Sequence, residues 1–280
     1  MPRLLSVALL LVFSPTALAQ SSPPTGKPDG PPPIQDNSFL MEEAYNQEEG
    51  VVQHINTFQW MRGGGWIATF TQEWPVPKEA HQLSYTIPFQ RVAGEARSRS
   101  GLGDIALNYR YQLAGDGDAK FACATRLSLL LPTGDEKMGL GSGGAALQAD
   151  VALSTVLSSS FVTHTNIGMT YTPAARNERG EKARLRAYNL GQSVVWLAGA
   201  TFNALVEVVW SQAESVAGAG RTQASRSLFV SPGIRWAWNF PTGLQIVPGI
   251  AVPIGVGPSR GDRALFLYLS FEHPMWSAAR

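Results

Sequence analysis

An alternation of period two constrains this chain more than any other feature. In Ile105-Ala-Leu-Asn-Tyr-Arg-Tyr-Gln-Leu113 the residues Ile105, Leu107, Tyr109, Tyr111 and Leu113 share one parity, and Ala106, Asn108, Arg110 and Gln112 the other. Successive side chains of a strand point to opposite faces, so this run makes a strand with one apolar and one polar face. The alternation recurs over 228–240, with Phe229 as the exception, and over 81–89, 161–171, 201–210, 244–254 and 265–271. Turn-forming clusters at 62–65, 94–103, 115–118, 134–144, 173–182, 217–222, 241–243 and 257–262 separate the runs. The pattern predicts about twelve strands, starting near Val51, Trp66, His81, Leu102, Phe121, Ala145, Phe161, Leu185, Thr201, Ser225, Leu244 and Ala264. An even number suits a closed antiparallel barrel, and strands of about ten residues tilted near 45° cross a bilayer's apolar core. The expected fold is all-β, a transmembrane antiparallel β-barrel of about 12 strands.

Alternation alone fits a soluble barrel or sandwich equally well, because there too one face is apolar. Composition separates the two. Only 15% of the 280 residues are charged, and the polar faces carry Gly, Ser, Asn and Gln where a water-exposed exterior would need charge. Trp66, Trp74, Tyr109, Tyr111, Tyr171, Trp196, Trp210, Trp236, Trp238, Phe240 and Phe271 fall near the ends of apolar faces, where headgroup-level girdles place them. A soluble secreted β-protein, with these rings filling its core, stays open as the alternative. No apolar run of 18 residues follows the N-terminus, which excludes a helical membrane bundle. Lys plus Arg number 22 against 21 Asp plus Glu, so no excess positive charge is available to hold nucleic acid.

The first residues indicate export. Arg3, the apolar run Leu4 to Phe13 and Ala17-Leu18-Ala19 form a secretory signal over 1–19, cleaved after Ala19. Residues 20–38, rich in Ser, Pro and Gly, form an extended or disordered leader that buries no core. Residues 39–49 carry Glu42, Glu43, Glu48 and Glu49 beside an apolar stub, a composition compatible with a short amphipathic helix. The barrel then occupies 50–273, with 274–280 as a tail.

Catalytic and cofactor chemistry finds little support. His54, His81, His164 and His273 include no pair at metal-binding spacing, and the lone Cys123 has no partner for a disulfide. Gly101-Leu-Gly-Asp104 and 139–144 lead into strand patterns, so no helix N-terminus follows to hold a phosphate. Gly115-Asp-Gly-Asp118 lacks the remaining oxygen ligands of a calcium loop and reads as a hairpin. His164, with Asn166 on a polar face, would permit a hydrolytic centre, but a histidine in a wet lumen is the commoner use. No enzyme activity, cofactor or metal is expected.

If apolar side chains face lipid, the lumen is lined by Asp104, Asn108, Arg110, Gln112, Arg126, Asp150, His164, Asn166, Arg186, Asn189, Asn203, Glu207, Arg235, Asn239 and Glu272. Both charge signs are present, which gives a pore little charge preference, or else lets the charges pair and close a narrow lumen. The acidic segment holding Glu42, Glu43, Glu48 and Glu49 enters the lumen as a plug in this reading, opposite Arg110, Arg126 or Arg235.

The run Gly101-Leu-Gly-Asp-Ile-Ala-Leu-Asn-Tyr-Arg-Tyr111, then Leu127-Ser-Leu-Leu-Leu-Pro-Thr-Gly134 and Gly139-Leu-Gly-Ser-Gly143, resembles bacterial outer-membrane barrels assigned to transport in the meta-pathway of phenol degradation. The resemblance implies a Gram-negative outer-membrane location, contact with outer-membrane lipid and the barrel-assembly machinery, and passive passage of small, hydrophobic or aromatic molecules. It carries no catalytic motif onto these positions. The chain departs from the usual barrel ending, because Phe271 is followed by residues 272–280 where a terminal aromatic normally stands. A non-conducting structural or surface-interaction barrel is the other membrane reading.

Overall fold

The computed structural model describes residues 34, 38–94, 97–115 and 119–275. The signal and most of the leader, the tip of the 115–118 hairpin and most of the tail lie outside the described residues. Fifteen strand segments follow in order: β1 Val51–Met61, β2 Trp66–Pro75, β3 His81–Val92, β4 Arg99–Leu102, β5 Ile105–Ala114, β6 Phe121–Leu131, β7 Ala146–Ser158, β8 Phe161–Arg176, β9 Lys182–Gly199, β10 Phe202–Gly218, β11 Arg221–Trp236, β12 Trp238–Asn239, β13 Gln245–Ala251, β14 Ile254–Gly255 and β15 Ala264–Pro274. Segments β4 and β5 form one stave, as do β11 with β12 and β13 with β14, which leaves twelve antiparallel staves in a closed barrel. Each expected strand has its counterpart, with starting points within a few residues.

Closure comes from β15, which pairs with β1 from Val51↔Pro274 through Met61↔Ala264. The sheet therefore has no open edge, the condition for putting backbone N–H and C=O groups in hydrocarbon. That seam also joins residues remote in sequence: the Nε2 atoms of His54 and His273 lie 3.2 Å apart. With an even stave count, β1 begins and β15 ends at one rim, called here the terminal rim. The longest described connection, 132–145, lies at the opposite rim together with the extended β8–β9 and β10–β11 hairpins.

Burial decides which face is which. On β5, Leu107, Tyr109 and Leu113 are 45%, 41% and 54% exposed, whereas Asn108 and Arg110 between them are 5% and 2% exposed. The same inversion runs around the barrel: Leu127, Leu147, Ile167, Leu190 and Val206 face out, while Arg126, Gln148, Asn166, Asn189 and Glu207 face in. A continuous exposed apolar belt around a polar interior is the arrangement lipid requires, and the reverse of a soluble barrel.

The sheet does not account for everything inside. Residues 38–47 form neither helix nor strand, yet every one of them is buried. The amphipathic helix expected over 39–49 does not form. A backbone running through the lumen finds hydrogen-bond partners on the surrounding staves, so it has no need of the internal bonds that a helix supplies.

Candidate functional site: a lumen crossed by the N-terminal segment

The 38–47 strap loops across the lumen and returns to the terminal rim, where it enters β1. Inward-facing side chains from five staves hold its backbone. Glu207 on β10 accepts from the backbone N–H groups of Leu40 and Met41 at 2.7 and 3.1 Å. Asn166 on β8 clamps Glu42 at both main-chain groups, accepting from its N–H at 2.6 Å and donating to its carbonyl at 2.8 Å. Arg110 donates to the Glu43 carbonyl and Gln112 to that of Ala44, both from β5. The Ala44 N–H donates to Ser154 Oγ on β7 at 2.8 Å, the Asn46 N–H to Gln112 at 2.9 Å and the Gln47 N–H to Gln82 at 2.7 Å. Ser38 meets Ser193 through their hydroxyls at 2.5 Å. An extended chain with no sheet neighbour must have its peptide groups satisfied somewhere, and here lumen side chains replace the water that would do so.

The charges are paired inside. Arg126 Nη2 lies 2.9 Å from Glu42 Oε1 and 2.9 Å from Asp150 Oδ2, with all three side chains at most 4% exposed. Glu43 Oε1 faces His164 Nε2 at 3.5 Å and Arg235 Nη2 at 3.8 Å. Desolvated charges of one sign would be prohibitive, so mixed charge is what allows the lumen to be both polar and closed. Asn203 is buried beside Arg235, and Asn189 beside Asp150 and Gly168. Asn108 lies on the same face and donates to Ser84 Oγ at 3.1 Å.

Apolar contacts fix the start of the strap. Phe39 packs on Phe266 and Tyr268 of β15, with ring centroids 5.7 and 5.5 Å away. Its ring lies directly over Gly233 and Gly249, where any Cβ would collide with it. The Met41 thioether lies over Gly191 in the same way. These glycines leave the shallow seats into which the two strap side chains fit.

Most of the expected lumen residues therefore meet in one place, around the strap. Four do not belong to that centre. Asp104 is half-buried at the rim opposite the termini, where it accepts from Gly134 N (3.0 Å), Ser142 N (2.7 Å) and Ser142 Oγ (2.7 Å), pinning the 132–145 connection. Asn239 is half-buried in the short β12 and accepts from Gln245 at 2.6 Å. Glu272 is half-buried near the end of β15, where it accepts from Gln53 at 2.8 Å. Arg186 is exposed on the outer face, since it has the parity of Tyr188 and Leu190 and not that of Asn189. The acidic set also divides: Glu42 and Glu43 lie inside, whereas Glu48 and Glu49 sit in the turn into β1, half-buried and exposed. The chain has left the lumen by then.

Ser154, Ser193, Gln82 and Phe39 belong to the site without having been expected there. Ser154 and Ser193 carry the inward parity of Asp150 and Asn189, so extending the alternation along β7 and β9 finds them. No local signal marks Phe39, whose seat is made by glycines about 200 residues away in sequence. Ser154 Oγ, His164 Nδ1 at 2.8 Å and Glu43 beyond it have the order of a hydrolytic triad. Each is at most 2% exposed, and the serine hydroxyl already accepts from the Ala44 N–H, so the group serves to hold the strap.

A closed antiparallel barrel with an apolar exterior and a polar, strap-filled lumen defines a membrane-spanning β-barrel. Residues 38–252 match the family described as "Putative MetA-pathway of phenol degradation", and the chain belongs to that family. The match begins at Ser38, the first residue of the strap. Among solved structures, an outer membrane channel from Pseudomonas putida F1 is similar at a TM-score of 0.60 and 12% identity, over 82% of this chain and 97% of that one. The KdgM porin is similar at 0.47 and 7% identity over 78% and 98%. The CymD monoaromatic hydrocarbon channel is similar at 0.41 and 10% over 82% and 90%. No curated protein matches the chain.

Proposed function

We propose that this chain is a passive outer-membrane channel for small hydrophobic or aromatic molecules, with the 38–47 strap as the plug that sets how far its lumen opens. The observation that carries this reading is the inversion of polarity, apolar side chains outward and buried polar ones inward, around a segment held by side-chain contacts and not by sheet pairing. Such a segment can leave the lumen without breaking the barrel. Family membership supports an aromatic solute, and the Pseudomonas putida relative, itself an outer membrane channel, supports the location. Lipid and the small solute are then the partners, the 1–19 signal directs export, and the barrel-assembly machinery inserts the chain. Mixed lumen charges give the opened pore little preference for ion sign. No catalysis is assigned.

The strap also favours a second reading, a barrel that conducts nothing, because it leaves the lumen filled. Uptake of phenol by proteoliposomes separates the two. The channel reading expects uptake by the full chain and faster uptake after deletion of 38–47. A folded barrel silent in both forms sinks it.

A further inference from the structure

The outer face of β9 changes character along its length. From Trp196 through Val194 and Leu190 to Tyr188 its outward residues are apolar and 38–50% exposed, except for Gln192, which accepts from Thr165 Oγ1 at 2.7 Å, and they carry no charge. Continuing with the same parity toward the rim opposite the termini, the next three outward residues are Arg186, Arg184 and Lys182, all exposed. On the neighbouring β8, Arg176 pairs directly with Lys182 and extends the patch; one strand beyond β10, in register with Tyr188, Arg226 on β11 holds Gln212 at 2.9 Å through Nε. Glu214 is the carboxylate within this patch, and it accepts from the Arg186 backbone N–H at 2.8 Å. In the adjoining turn Glu178 pairs with Arg99 at 2.7 Å and Glu181 accepts from Asn177 at 2.7 Å. Among the described residues no side chain pairs with Lys182, Arg184 or Arg186.

We infer that this patch binds a phosphorylated glycolipid of the outer leaflet, with Arg184 and Arg186 on its phosphates. The inference rests on the outer-membrane reading above. Guanidinium groups match phosphate oxygens in bidentate fashion and are the side chains that best tolerate partial desolvation beside lipid. Depth argues for a sugar-bearing lipid. Lys182 lies six positions along the strand from Tyr188, a height of roughly 14 Å for a strand tilted near 45°. A phospholipid headgroup layer is only about 5–8 Å thick. The cations therefore extend beyond phospholipid headgroups to the level of a phosphorylated disaccharide. At its other end β9 presents Trp196 and no charge, so only one leaflet receives this contact.

The test uses full-length protein in neutral detergent, with native mass spectrometry reading how much bis-phosphorylated lipid A, dephosphorylated lipid A or phosphatidylglycerol each form retains. Lipid A is expected to be retained best. Arg184→Gln or Arg186→Gln should each weaken retention about fivefold, and both together with Lys182→Gln about a hundredfold. The single variants keep the question decidable if the triple variant does not fold, and Lys78→Gln with Lys120→Gln at the terminal rim should change nothing. Equal retention by wild type and a folded variant overturns the proposal, as does equal retention of dephosphorylated lipid A or phosphatidylglycerol. A wild type lacking the heat-shifted gel band of a closed barrel overturns the membrane reading and this proposal with it. A folded barrel that retains no lipid A overturns the proposal alone.

Discussion

Glu42 Oε1 stands 2.9 Å from Arg126 Nη2 in the middle of the lumen, and the same guanidinium nitrogen lies 2.9 Å from Asp150 Oδ2. One carboxylate belongs to the strap and the other to the barrel wall, so Arg126 joins plug and wall electrostatically. Three charges at most 4% exposed are stable together only because each compensates another.

Removing the cation should therefore cost more than removing a carboxylate. Arg126→Met leaves Glu42 and Asp150 buried without their partner, an expected loss of about 3–5 kcal/mol. Glu42→Gln leaves Arg126 paired with Asp150 and should cost less. Urea titration of the heat-shifted gel band measures both, and equal losses would show that Arg126 does not join the two.

The seat of Phe39 predicts a compensating pair. Gly249→Val puts side-chain atoms where the Phe39 ring lies and should destabilise the closed lumen by about 1–3 kcal/mol. Phe39→Ala empties that space, so the double variant should recover part of the loss, with a coupling of about 0.5–3 kcal/mol. Strict additivity would mean that Phe39 does not occupy the seat.

Strap deletion tests the plug electrically. With 38–47 absent, planar bilayers should show channels of about tenfold larger conductance, with weak ion selectivity because the remaining lining carries both charge signs. Unchanged conductance in a correctly folded barrel would remove the plug.

The lipid-facing belt can be tested by charge. Leu190→Arg places a cation outward in the apolar belt and should reduce folding stability in phospholipid vesicles by about 2–4 kcal/mol. At the exposed surface of a soluble protein the same change would fall within about 0.5 kcal/mol. A small effect would favour the soluble alternative.

By itself, the sequence determined the stave count, the strand positions and the face of each stave. Those features follow from a local rule, that adjacent side chains point to opposite sides, so Asn108, Arg110 and Arg126 could be assigned inward without any partner being known. The same rule puts Arg186 outward, with the parity of Tyr188 and Leu190, so its charge is no guide to its face. Opposite charge points from the sequence to the acidic segment as a plug opposite Arg110, Arg126 or Arg235, but tertiary structure alone decided its path and which side chains it meets. Glu42 and Arg126 are 84 residues apart, Phe39 and Gly249 are 210 apart, and His54 meets His273 across the closing seam. No periodicity records such meetings, because barrel curvature and the register of many strands set which inward side chains converge. The strap's irregular path has the same cause. Its backbone satisfies itself against distant side chains, so its conformation was settled by the barrel and not by its own residues.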